Sequence, residues 1–129
     1  MKNEIVPYTY EEFIELNKKF HEHCLEITCT RNAGYSPGAN PYSNFMQQRE
    51  ILEPIFGARY PLVSMDARSG DKKSRAQNFI VEGLPRHKDR LDDFFDGANY
   101  LLMQATYWEC LRRNNPKLIY GRINQGQRA

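Results

Sequence analysis

The stretch that decides the fold is L-D-D-F-F-D-G-A-N-Y-L-L, residues 91–102. It opens the most regular segment of the chain, in which apolar residues return at three- and four-residue steps, the period of an α-helix. These positions are Leu91, Phe94, Phe95, Ala98, Leu101, Leu102, Ala105, Trp108 and Leu111. We therefore predict a helix of about six turns over residues 88–113. No segment alternates convincingly enough to predict a strand, although 118–123 could be extended, so the predicted class is all-α.

Polar residues on this helix recur with the same period. Asp92, Asp93, Asp96 and Asn99 fall along one side of its N-terminal half. Carboxylates three or four residues apart on a helix can hold one divalent cation, and that cation can hold a phosphate. The alternative is an acidic first turn that complements the helix dipole, which accounts for Asp92 and Asp93 better than for the deeper Asp96 and Asn99.

Two earlier segments also carry helical patterns. Thr9 and Glu12 form a T-x-x-E capping box, which predicts a helix over residues 9–30. Asn44 can cap a second helix over residues 44–57. This second segment contains Glu50 and Glu53 in an E-x-x-E arrangement, a common pattern that is a weak sign of a metal site.

A third helix is predicted over residues 61–82, with Pro61 in its first turn and a possible break at Gly70. If the helix is continuous, one face carries a charged set suited to phosphate oxygens. The set comprises Arg68, Asp71, Lys72 and Arg75. The alternatives are a solvated face with an internal Asp71–Arg75 pair, or direct pairing with the aspartates of the last helix. The short turn at 83–85 predicts that these two helices pack side by side, so that Asp92 and Asp96 converge with Lys72 and Arg75.

Residues 31–43 contain two Gly, two Pro and two Asn and predict an irregular loop. Long loops in compact domains are often functional. Tyr35 and Tyr42 could stack on a flat ligand, or they could seal the loop onto the core.

Length and composition limit the remaining choices. The 129 residues suit one domain, residues 1–113, followed by a basic polar tail, residues 114–129. The region from Arg112 onwards holds five of the 18 basic residues and no acid, so the preceding 111 residues have 13 basic against 16 acidic. Such a tail can touch nucleic acid, but it is more often a solvated end.

The three cysteines predict buried, reduced thiols of a cytoplasmic protein, and a zinc site is not expected. The chain contains no run of apolar residues long enough for a membrane span and no apolar signal segment at its start.

Four segments occur in a notable order: R-N-A-G-Y, N-P-Y-S-N-F, R-S-G-D-K-K-S-R and L-D-D-F-F-D-G-A-N-Y. Together they resemble the phage and bacterial family called nucleotide modification associated domain, the first of that name, over residues 31–108. Gly34 and Asn40 stand where that family carries acids. The matched positions are Arg31, Asn32, Tyr35, Asn44, Phe45, Arg68, Asp71, Lys72, Arg75, Asp92, Asp96, Asn99 and Tyr100.

The resemblance implies a cytoplasmic, phage-type protein of nucleotide or DNA-base modification, and the helical make-up looks like the all-α MazG and dimeric dUTPase group of pyrophosphohydrolases. By that analogy the chain is a four-helix bundle and a homodimer that uses Mg²⁺. The expected metal ligands are Glu50, Glu53, Asp92, Asp93 and Asp96. The expected catalytic residues are Asp92, Asp96, Lys72 and Arg75, and the expected nucleotide-binding residues are Arg31, Tyr35, Tyr42, Asn44, Arg68, Asp71 and Asn99.

Two readings of function follow. In the first, Mg²⁺ and the basic residues position a nucleoside triphosphate for attack by water, which releases the monophosphate and pyrophosphate. In the second, the same residues bind a nucleotide or other phosphorylated ligand without turnover, and the two missing acids favour this version. A third possibility is a host-takeover protein that binds a protein or, through its tail, nucleic acid.

Overall fold

A computed structural model describes residues 9–32, 40–86 and 91–123 of the chain, with side chains described to residue 30 in the first range. Every regular element in these ranges is helical, which confirms the all-α class. Three α-helices have 23 residues each and one has eight, so the structure has three long helices rather than four comparable ones. The chain divides into two compact units, Met1–Gly34 and Tyr35–Ala129. No helix in the described ranges is long and apolar enough to cross a membrane.

The first unit contains helix α1, Tyr10–Asn32. The predicted cap is present, because the Glu12 amide donates to Thr9 Oγ1 at 3.1 Å. The Phe13 amide donates to the Thr9 carbonyl at 3.0 Å and closes the first turn. The helix therefore begins where the capping pattern predicts.

The second unit is built on two long helices, α3 (Tyr60–Glu82) and α4 (Asp92–Asn114), with the short helix α2 (Arg49–Phe56) before them. Helix α3 runs through Gly70 without a break and ends at Gly83, whose φ of 80° suits glycine. Phe79 contacts Phe94 near the connection, and Lys72 contacts Asp96 further away from it. This order shows that α3 and α4 are antiparallel, as the short connection predicts.

The segment predicted as one helix over residues 44–57 is divided, which corrects that prediction. A 3-10 turn, Ser43–Phe45, precedes α2, and Asn44 lies inside the turn rather than capping a helix. Asn40 instead turns the chain just before this 3-10 turn, because its Oδ1 accepts from the Tyr42 amide at 2.9 Å and its carbonyl accepts from Ser43 Oγ at 2.8 Å. An Asn side chain that turns the backbone in this way competes with helix formation. Gly57, with φ 60°, ends α2.

The core of the second unit lies where the N-terminal half of α3 meets the C-terminal half of α4. Its buried members are Tyr42, Phe45, Met65, Tyr107 and Leu111. Tyr42 and Tyr107 meet edge to face with ring centroids 5.0 Å apart. Tyr107 also donates from its hydroxyl to the Ala58 carbonyl at 2.8 Å. Burial is the main reason why the pKa of Tyr107 rises to about 12.

The chain after α4 packs on this core instead of leaving it. A 3-10 turn, Pro116–Leu118, follows α4, and residues 118–123, the possible extended piece, contain no strand. Leu118 and Ile119 pack against the core cluster. Arg59 donates to the carbonyls of Leu118 at 2.9 Å and Tyr120 at 3.2 Å. Residues 118–120 are therefore held against the rest of the second unit.

The cysteines also differ from prediction in part. Cys24 is buried, but Cys29 and Cys110 are exposed, and all three are free thiols. Spacing on a helix does not settle burial when the helix has more than one partly apolar side.

Candidate functional site in the groove between α3 and α4

An open groove of about 500 Å³ runs between α3 and α4. The α3 wall carries Asp66, Ser69, Gly70, Lys72, Lys73 and Ala76, and the α4 wall carries Asp93, Phe94, Gly97, Ala98 and Leu101. Gly97 brings the two helices close together, because a methyl group there would lie 3.3 Å from Lys72 Cβ. The close approach brings the charged side chains of the two helices within reach of each other.

A charged cluster crosses between the helices beside the groove. Lys72 Nζ lies 3.7 Å from Asp93 Oδ1 and 3.5 Å from Asp96 Oδ2, so one ammonium group serves two carboxylates. Arg75 Nη1 lies 3.4 Å from the same Asp93 oxygen. The side chains of Lys72, Asp93 and Asp96 are about four-fifths buried, whereas Arg75 is largely exposed. The predicted convergence is thus present for Lys72, Arg75 and Asp96, with Asp93 in place of Asp92, as direct ion pairing, one of the alternatives that the sequence left open.

Three charged residues that were predicted to belong to the site lie outside the charged cluster. Asp93, not Asp92, takes the position facing α3, and Asp92 lies exposed. Arg68 does not join the cluster, because its guanidinium lies over the ring of Phe45, 4.8 Å from the centroid. Asp71 is exposed on α3. Helical steps alone could not decide among these, because neighbouring residues on a helix differ by only about 100° in direction.

The expected carboxylate set for a metal is not assembled. No group of three or more His, Cys, Asp or Glu side chains in the described ranges is placed to hold a metal ion. Glu53 instead forms an ion pair with Arg49, whose Nε lies 3.0 Å from Glu53 Oε2. Glu50 is exposed on α2. Asp93 and Asp96 are therefore the two predicted ligands that lie together beside the groove.

The residues predicted to contact a base or sugar are dispersed. Tyr42 lies in the core, the alternative that the sequence left open, and burial there raises its pKa. Asn44 is exposed in the 3-10 turn, while Arg31 and Tyr35 lie outside the residues whose side chains are described. Asn99 is only 4% exposed, and its amide nitrogen has no hydrogen-bond partner within the described ranges. It does not line the groove.

Three polar residues of the groove were not singled out from the sequence. Asp66, Ser69 and Lys73 line its α3 wall. Their spacing, D-x-x-S-x-x-x-K, places them on one side of a helix, so the signal was present in steps of three and four. This pattern is less conspicuous than the one that begins at Arg68, because that face of the same helix carries more charged residues.

Comparison of the chain with protein-family models, with curated proteins and with solved structures finds no match.

Proposed function

We propose that the chain binds the phosphate groups of a nucleotide in the α3–α4 groove, together with one Mg²⁺ ion held by Asp93 and Asp96. The observation that carries this proposal is the position of Lys72 Nζ between the two carboxylates, at 3.7 and 3.5 Å. A cation already occupies the place between two carboxylates that a divalent ion would take. The same arrangement of Asp93 and Asp96 therefore suits either the Lys72 ammonium group or a divalent cation.

Two carboxylates suit Mg²⁺ in this setting. In nucleotide sites Mg²⁺ is usually bound by one or two carboxylates, by waters and by the phosphates of the ligand, rather than by a cage of protein ligands. A set smaller than three acids is therefore compatible with a Mg²⁺–nucleotide complex. Bound Mg²⁺ would neutralise phosphate charge and make phosphorus easier to attack.

The walls of the groove have the chemistry for the rest of a nucleotide. Lys73 lies exposed on the α3 wall, where its ammonium group can pair with phosphate oxygens, and the hydroxyl of Ser69 can donate to them. Phe94 and Leu101, on the α4 wall, offer apolar surface to a base. Lys72 and Arg75 would move from the aspartates to the phosphates when the metal binds.

A second candidate function is hydrolysis of the bound triphosphate to the monophosphate and pyrophosphate. Asp66 favours it, because this exposed carboxylate lines the same groove and can accept a proton from an attacking water. The surrounding positive charges would stabilise the negative charge that develops on the phosphate oxygens.

Thermal melting with a panel of canonical and modified nucleoside mono-, di- and triphosphates, each with and without Mg²⁺ or Mn²⁺, tests binding. A ligand at 100 times its Kd stabilises the native state by about 2.7 kcal/mol, which raises the melting temperature measurably. Lys73→Met should weaken nucleotide binding about tenfold, a change of ~1.4 kcal/mol. Asp93→Asn should remove the part of the thermal stabilisation that depends on Mg²⁺. Lys19→Met, on α1, is the matched control and should bind like the wild type. Pyrophosphate release from the same mixtures separates turnover from binding.

No stabilisation of the wild type by any metal–nucleotide pair would refute the proposal. Equal binding by wild type and Lys73→Met would move the site away from this groove.

A further inference from the structure

Helix α4 carries apolar residues beyond those that are buried. Its buried apolar residues are Phe95, Tyr107 and Leu111, and the last two belong to the core. A separate apolar stripe recurs at alternating steps of three and four and lies half-buried to exposed. Its members are Leu91, Phe94, Ala98, Leu101, Ala105 and Trp108. Phe94 is 45% exposed and Leu101 is 59% exposed, although both are large apolar side chains.

Alternating steps of three and four define the a and d positions of a coiled coil, the pattern with which one helix packs along a second helix. The pattern holds over six consecutive a and d positions, or about 25 Å of helix at 1.5 Å per residue. Leu102, 56% exposed, widens the same side of α4. We propose that this stripe, the α4 seam, is the interface at which two copies of this chain pair with their α4 helices antiparallel.

The sizes of the side chains support a second copy as the occupant. In an antiparallel pair each a position faces a d position of the partner helix. With Ala98 facing Leu101 of a second copy, Phe94 faces Ala105 and Leu91 faces Trp108. Large side chains then meet small ones at four of the six positions, and the two-fold axis makes the contact self-complementary. A parallel pair would instead place Phe94 on Phe94 and Ala98 on Ala98, which crowds one layer and leaves a gap in the next.

The charges of α4 favour the same direction. Its first turn contains Asp92 and Asp93, and its last turn contains Arg112 and Arg113. An antiparallel copy brings the acidic end of each helix towards the basic end of the other and also opposes the helix dipoles. A parallel copy would bring like charges together.

The exposed area is sufficient for specific pairing. A fully exposed large apolar side chain presents roughly 200 Å², so the exposed fractions along the seam amount to on the order of 500 Å². A standard interface buries about 800 Å² per partner, of which about 65% is apolar in homodimers. The seam therefore supplies about the apolar area that a homodimer of standard size needs. Phe94, Ala98 and Leu101 also line the α3–α4 groove. A second copy would therefore cover the apolar surface proposed above to contact a base, so pairing and base contact exclude each other at these side chains.

Sedimentation of the full chain over a wide range of protein concentration tests the pairing without any nucleotide. The wild type should shift from monomer to dimer as concentration rises. Leu101→Glu, near the middle of the seam, should weaken dimerisation at least a hundredfold while the melting temperature of the dilute monomer stays close to that of wild type. Ile51→Glu, at a position on α2 that is 67% exposed, is the control and should dimerise like the wild type.

Cysteine cross-linking tests the direction. In a background in which Cys29 and Cys110 are replaced by Ser, one preparation carries Phe94→Cys and a second carries Ala105→Cys. Antiparallel pairing predicts that the mixture forms a disulfide between the two variants and that neither variant cross-links with itself. The reason is that two Phe94 positions, or two Ala105 positions, would be about 16 Å apart along the axis, too far for a disulfide.

Self-cross-linking of each variant alone would overturn the antiparallel arrangement. A wild type that stays monomeric at all concentrations would overturn the interface itself. If the wild type is a monomer and Leu101→Glu strongly lowers its melting temperature, the seam takes part in a contact within one chain, which would also overturn the proposal.

Discussion

The two ends of the α3–α4 hairpin are held together in different ways. At the end away from the connection, Met65 is fully buried among aromatic side chains and is part of the core. At the end near the connection, Lys72 pairs with Asp93 and Asp96, and Phe94 remains 45% exposed. Apolar burial fixes the first end. The second is held by partly solvated ion pairs, which water or a ligand can replace, and by the contact of Phe79 with the half-exposed Phe94. The difference suggests that stability is concentrated at one end and that the other is available for binding.

The largest effect should come from the core end. Met65→Ala removes a side chain with 0% exposure and leaves a cavity, so we expect a loss of about 2–5 kcal/mol in the free energy of unfolding. Urea denaturation measures it. Ile51→Ala, on the exposed side of α2, is the control and should change stability by less than about 0.5 kcal/mol. Similar losses in both variants would mean that the core does not hold the hairpin together.

Tyr107→Phe tests a polar contact at the same end. The variant loses the hydroxyl that donates to the Ala58 carbonyl at 2.8 Å, and we expect a cost of about 1 kcal/mol at neutral pH. The expected loss is smaller than that of Met65→Ala because the ring stays in place. No loss in urea denaturation would show that water replaces the hydrogen bond fully.

The free energy of unfolding at alkaline pH gives a second test of the burial of Tyr107. The unfolded Tyr107 phenol ionises near pH 10, whereas burial keeps it protonated in the folded state until about pH 12. The folded state therefore binds the proton more tightly, so this contribution to stability is complete below pH 10 and falls as pH rises to 12. Tyr42 and Tyr60, whose pKa values are also raised by burial, act in the same direction. Tyr107→Phe should show a shallower decline, and an identical decline would contradict this assignment.

Two glycines form a matched pair at the groove. Gly70 has no atom within 4 Å of an added methyl group, so Gly70→Ala should stabilise the chain by about 0.5–1 kcal/mol through helix propensity. Gly97→Ala should gain less, or lose stability, because its methyl group would lie 3.3 Å from Lys72 Cβ. Thermal melts of the two variants measure the difference. Equal gains would show that the helices separate easily at this end.

The smallest effect is expected at the ion pairs. Asp96→Asn should cost about 1 kcal/mol or less, because the carboxylate lies 3.5 Å from Lys72 Nζ and both side chains keep access to water. High salt should reduce the difference between variant and wild type. If Asp96 is a metal ligand, the same variant should lose the stabilisation that Mg²⁺ and nucleotide give to wild type. A cost of about 3–5 kcal/mol without metal would instead identify a buried structural pair.

Much of the fold could be predicted from local chemistry. The capping box at Thr9 and Glu12 predicted where α1 begins, and Gly83 predicted where α3 ends. Both signals act through backbone hydrogen bonds within a few residues, so a sequence contains them in full. The segment predicted over 44–57 is divided between Phe45 and Arg49, and the sequence carries no Gly or Pro there that would predict the break.

The candidate site was predictable only in part. The short connection required α3 and α4 to lie side by side, and that was enough to bring Lys72 and Asp96 together. The choice of Asp93 over Asp92, and the groove wall with Asp66 and Lys73, depended on the rotation of each helix about its axis. Rotation is set by close packing, here by the approach at Gly97, which no periodicity encodes.

The sequence by itself determined that the chain is helical, where several helices begin and end, and that α4 has apolar residues on more than one side. Only the tertiary structure decided which of those sides is used. The stripe with Tyr107 and Leu111 is buried, while the stripe with Phe94 and Leu101 is exposed, although both satisfy helical spacing. The physical reason is that the hydrophobic effect is non-directional. Apolar residues in a sequence therefore predict that a surface will be buried, but they do not specify which other surface buries it.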